Sequence, residues 1–248
     1  MKDQAAAVFI VLAMASVVTG CARQPAVSSG AVPIEHIEQS EFAERNVSWW
    51  YARFKITWPE NYPPDGAVDL FLADTVIRPI LETYSSKLFR WRFHRRAARD
   101  IAGHQFSFIF YASPDVARDI FERIKSNDRL TQAVSSHIIE KVRLDDPEKP
   151  ARPALADTSD RSWPGTLQKH WPAYIMGVSA LWLGLIDEYK DKTVPDGKRD
   201  IQALVDAYRD AEEKITNIWY QHGQHALLHH LNAIFGYEPI LIRKELTF

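Results

Sequence analysis

The chain of 248 residues holds one cysteine, Cys21. That scarcity excludes an internal disulfide and a cysteine-built zinc site, so stability must come from the core. Catalytic signatures are missing too: no GxSxG elbow, Walker loop, GxGxxG turn or HExxH pair occurs. Serine, histidine and aspartate are all present, but in no spacing that marks a triad. Long apolar runs are also lacking. Ala5–Val18 spans fourteen residues and Pro172–Ile186 fifteen, and a membrane-crossing helix needs about 20. No charge of one sign dominates: 30 basic residues stand against 32 acidic ones. A balanced chain has no global footprint for nucleic acid.

What is present starts at the first residues. Met1–Gln4 is polar and carries Lys2, and the apolar stretch after it has the length of an export signal. Val18-Thr19-Gly20-Cys21 follows, and this tetrad resembles the lipobox of bacterial lipoproteins. The resemblance implies cleavage before Cys21, a diacylglycerol thioether on its sulfur, and acylation of the new amino terminus. Three acyl chains exceed the two signals that stable anchoring requires. Ala22 stands where an aspartate would imply retention at the inner membrane. The resemblance therefore implies a lipid anchor in the bacterial outer membrane, on the periplasmic side. Residues 1–20 read as the signal peptide and 21–45 as a lipidated tether, proline-marked and polar from Ala22 to Pro33.

Residues 46–145 read as an α+β sandwich. Trp50, Ala52, Phe54, Ile56 and Trp58 alternate with Tyr51, Arg53, Lys55 and Thr57, the period of a half-buried strand. Residues 67–84 have helical spacing, with a kink expected at Pro79. Two more alternating runs cover residues 88–94 and 104–111. A proline-opened helix from Ser113 and a last strand over residues 138–144 complete the order β-α-β-β-α-β, that of a ferredoxin-like sandwich. Residues 146–165 are proline-rich and read as a linker. Residues 166–248 read as a helical half with a terminal strand after Pro239. Within it, Pro172 is expected to open a helix. Ala173, Gly177, Ala180 and Gly184 form a small-residue ridge for close helix packing. Residues 200–220 read as the amphipathic partner helix.

Two patches are candidates for function. His222, His225 and His229 share one helical face, and His225–His229 has the i, i+4 spacing of helical metal ligands. A phase change in the apolar stripe at Gly223 predicts a break there. The helix beyond it is expected to bury its leucines and present His225 and His229. A third ligand would have to come from His104, His137 or His170. The second patch is the outer face of the sheet. Arg53, Lys55, Arg90 and Arg92 are candidate anion-binding residues, with Lys141 and Arg143 beside them and Tyr51 and Tyr111 interleaved. The acidic residues of the helical half are candidates to cover this face. Arg95, Arg96 and Arg99 are expected in an exposed turn.

These features describe a non-catalytic binding or envelope-assembly protein without a cofactor. It would engage an anionic envelope component or a protein partner, and no nucleic acid. The competing reading is a transition-metal or haem protein built on the histidine helix.

Overall fold

A computed structural model describes residues 46–97, 103–190, 200–237 and 239. The signal and tether, Arg99 and the terminal strand lie outside the described residues.

The body of the protein is mixed α+β. Four strands, β1 (Ser48–Ile56), β2 (Arg90–Ala97), β3 (His104–Ala112) and β4 (Ile139–Leu144), pair antiparallel in the order β2-β3-β1-β4. Alternation puts Trp50, Ala52, Phe54, Phe93, Phe106, Phe108 and Phe110 on one face, where each is buried in the main core. The helices α1 (Gly66–Phe71), α2 (Arg78–Tyr84), α3 (Pro114–Lys125) and α4 (Asp128–Ser135) add to that core, and Leu183, Ile186, Leu204, Val205 and Ile215 of the helical half complete it. Ser113 and Asn127 cap α3 and α4, each accepting from a backbone N–H of the first turn.

The expected kink at Pro79 takes another form. Between α1 and α2 the chain winds as a π-helix over Leu72–Ile77. Proline has no N–H to give the Thr75 carbonyl four residues back. That carbonyl instead accepts from the Asn127 side-chain amide at 3.4 Å.

Pro172 does not open a helix. It sits inside the long helix α5 (Gly165–Tyr189). The carbonyl it leaves unpaired is that of Gln168, which accepts from the Ser159 hydroxyl at 2.7 Å. A side chain distant along the chain thus replaces the missing backbone donor. α5 also seals the edge of the sheet, because Ser179 Oγ accepts from the free N–H of Phe93 on β2 at 3.1 Å. Trp182 packs its indole against Phe93 and Phe106.

Residues 200–220 form two helices, α6 (Ile201–Asp206) and α7 (Arg209–His222). The predicted break at Gly223 is absent. The helix continues as a π-helix over Gly223–His229 and ends in α8 (His230–Ile234). The wider turn absorbs the phase change that the apolar spacing showed. Gly223 is required by a close approach: a Cβ there would meet the Trp219 ring at 2.9 Å.

The small-residue ridge does not receive α7. Ala173, Gly177, Ala180 and Gly184 are all exposed, and nothing lies within 4 Å of where a Cβ would stand on either glycine. α5 instead turns Ser179, Leu183 and Ile186 inward.

Candidate functional site

The outer face of the sheet divides into a covered end and an open end. At the covered end, Val47, Trp49, Ile109 and Tyr111 form a second buried cluster with Phe89 and Leu155 against it. Phe89 thus lies across the sheet from Trp91 and Phe93, because it precedes β2 and does not share its pleat. The proline-rich segment, expected as a linker, lies on this end as a cover. Trp49 donates from its backbone to Arg152 O at 2.8 Å and from its indole to Leu155 O at 3.0 Å. The Tyr111 hydroxyl donates to Pro153 O. The acids set against the side chains of this face are Asp145, Asp157 and Glu140, and not those of the helical half.

This cover disposes of several expected anion ligands. Arg53 and Arg152 both donate to Asp145, and their guanidinium carbons lie 4.2 and 4.4 Å from the Tyr51 ring centroid. Arg92 is partly buried and donates to Thr158 O at 3.2 Å. Burial pushes the Arg92 guanidinium below its ordinary pKa, and the nearby Tyr51 opposes that shift. Arg90 donates to Phe89 O. Arg53, Arg92 and Arg152 hold the cover in place.

The open end is different. Across the strands, His94 and Arg53 flank Ser107, while Arg96 and Lys55 flank Gln105. On the other side of β1, Arg143 stands opposite Arg53 and Lys141 opposite Lys55. Like charges directly opposite each other destabilise a sheet. Lys55 is paired with Glu140 at 2.9 Å; Lys141 and Arg143 are exposed. The His94 imidazole is held below its ordinary pKa, first by burial and then by Arg92 and Arg96. Arg92 and Arg96 thus make the surroundings of His94 positive.

Arg95 does not sit in an exposed turn. β2 runs on through it, and its pleat turns the guanidinium to the helix side. There Arg95 donates to Asp69 and to Glu212, each at 2.8 Å. Burial works against its charge, but the two carboxylates together hold its pKa above the ordinary value. His104, at 1% exposure, brings Nε2 to 3.3 Å from the same Asp69 oxygen. Asp69 Oδ1, Glu212 Oε2 and His104 Nδ1 are buried with no hydrogen-bond partner. A second buried carboxylate, Asp74, accepts from Arg78, Lys190 and the Tyr208 hydroxyl. This ties α5 and α6 to the body. Neither network was read from the sequence. The only available signal was an aspartate inside each turn of an otherwise apolar helix.

Two depressions border the buried network. One, of about 590 Å³, lies between the 59–66 turn, the α4–β4 junction and α7, with Glu212 in its wall. The other, of about 520 Å³, is lined by Lys55, Trp58, Glu60, Asn61, His104 and Glu140.

The histidines form a different group from the predicted one. His225, His229 and His230 have ring centroids 5.0–5.4 Å apart, and Tyr237 lies 5.4 Å from His229. The wider π-turn brings His230 into the set, and His222 is not among these ring contacts. Among the described residues no group of three or more His, Cys, Asp or Glu is placed to hold a metal ion. His104 is committed to Asp69, and His137 occupies the left-handed position (φ 58°) that ends α4. The leucines expected to be buried beyond Gly223 are not all buried, for Leu228 is exposed.

The chain matches no protein family, no curated protein and no solved structure. Among the described residues no helix is long and apolar enough to cross a membrane.

Proposed function

We propose that this is a lipid-anchored protein of the bacterial outer membrane that binds an anionic envelope component through the open end of its sheet. The observation that carries the reading is the cross-strand pairing of Arg53 with Arg143 and of Lys55 with Lys141. Asp145 answers Arg53 and Glu140 answers Lys55, so the exposed Lys141 and Arg143 across from them are the cations that an external phosphate or carboxylate would meet. The lipobox-like Val18-Thr19-Gly20-Cys21 supports the anchor. The element order and the placement of α1–α4 on one face support a ferredoxin-like sandwich as the scaffold.

The test is binding to immobilised polyphosphate. Replacing Lys141 and Arg143 by Glu should weaken it by about tenfold or more, and added salt should weaken the unmodified protein progressively. Replacing Arg92, at the covered end, by Gln should leave binding nearly unchanged. Equal losses at both ends would return the open end to an ordinary solvated surface. The anchor is tested separately, since Cys21→Ala should leave the precursor unlipidated and unprocessed.

A further inference from the structure

We infer that the depression beside Trp58 is a sugar subsite, so that the anionic component bound at the open end is a glycan carrying phosphate or carboxylate groups. The inference rests on the anion-binding reading for its charged half and on separate observations for its sugar half.

The depression begins where the open cationic end stops. Lys55 belongs to both, standing opposite Lys141 on the sheet and lining the depression on its other side. A ligand with a ring and an adjacent anionic group would span the two. Trp58 supplies a half-buried indole wall. Its Nε1 donates to Tyr62 O at 2.6 Å, and its ring meets His104 edge-on with centroids 6.0 Å apart. An indole fixed in this way offers a flat apolar surface to the C–H face of a pyranose. Glu60, Asn61 and Glu140 surround it with amide and carboxylate groups suited to hydroxyls.

His104 supplies the independent observation. Its side chain is 1% exposed, it lines the depression, and Nε2 is committed to Asp69. Nδ1, which diverges from Nε2 around the ring, is buried without a partner. A buried polar atom without a partner is costly, and a ligand that supplies one removes that cost. Nε2 faces a carboxylate, which only accepts, so Nε2 donates and Nδ1 of the neutral ring is left as an acceptor. A sugar hydroxyl can donate to it, whereas a bare anion cannot. A polyol thus combines an apolar face for the indole with a donor for this nitrogen.

The experiment compares two soluble probes, trigalacturonate and ring-free polyphosphate, on the full domain. Trp58→Ala should weaken trigalacturonate binding by at least about tenfold while leaving polyphosphate binding unchanged. Asn61→Ala, at an exposed position, should act in the same direction and guards against a folding defect. Lys141→Glu with Arg143→Glu should weaken both probes. If Trp58→Ala and Asn61→Ala weaken neither probe, or both equally, the sugar subsite is wrong and the anion reading stands. If polyphosphate never binds but trigalacturonate binding still depends on Trp58, the anion reading falls and the sugar subsite stands.

Discussion

The body and the carboxy-terminal arm of this protein both carry large apolar side chains and bury them very differently. In the body, Phe54, Phe106, Phe108 and Phe110 are fully buried, because a sheet face and the helices packed on it close over them. In the arm beyond Gly223, Ile234 is 81% and Phe235 68% exposed. The spacing of apolar residues specifies which side of a helix would be buried, but burial needs a second surface. α7 finds one for Ala211 and Ile215 only, and its continuation overhangs. The two regions also treat polar groups differently. The body encloses Asp69, His104 and Asp74 in ion pairs and hydrogen bonds, while the arm sets His225, His229 and His230 against one another and Tyr237.

Truncating one aromatic in each region should produce the largest difference between them. Phe108→Ala should destabilise by about 3–5 kcal/mol, the range for a large buried aromatic. Phe235→Ala should stay within about 0.5 kcal/mol of the unmodified protein, as exposed substitutions do. Urea unfolding of the two variants checks both values, and a large effect at Phe235 would mean that the arm is packed. A smaller effect is expected where the helical half joins the body. Asp74→Ala removes the carboxylate that Arg78 and Lys190 share and leaves Lys190 with Asp187 alone. The loss should be about 2–3 kcal/mol, below the range for fully buried pairs because both cations are about a quarter exposed. Hydrogen exchange should show α5 and α6 loosening before the sheet does.

The smallest effect is a pH dependence at the open end. His94 is held below its ordinary pKa by burial and by Arg92 and Arg96. The unfolded chain, with a histidine pKa of about 6.5, therefore binds more protons than the folded one just below that pH. Stability should fall as pH drops through this window and level off below the folded pKa, and His94→Gln should remove that slope. Saturating polyphosphate should move the His94 resonance titration to higher pH, because an anion nearby favours the imidazolium. An unchanged titration would separate His94 from the bound anion.

Much of the scaffold was legible from local pattern. The alternation of Trp50–Trp58 and of Phe106–Phe110 placed strands with the correct side inward, since the strand period is two and one face had to be buried. The Ser113-Pro114 start of α3 was legible because capping chemistry is local. The two prolines were misplaced for one reason. Each orphaned carbonyl finds a donor far away in sequence, Asn127 for Thr75 and Ser159 for Gln168. The candidate site was half legible. Lys141 and Arg143 appeared as part of a basic face, but which end of that face lay open depended on the fold of residues 145–159.

Periods of two and 3.6 residues settled the mixed α+β character, the inward and outward residues of β1 and β3 and the basic sheet face. Only the tertiary structure decided that Arg95 turns to Asp69 while Arg96 stays outside, and that a proline-rich segment closes half of the sheet. It also decided that the histidine arm lies open, and that Trp58 meets His104 beside Lys55. Those outcomes depend on which surfaces meet. Contact between residues far apart in the chain is set by the free energy of the whole packing and not by the spacing within any one segment.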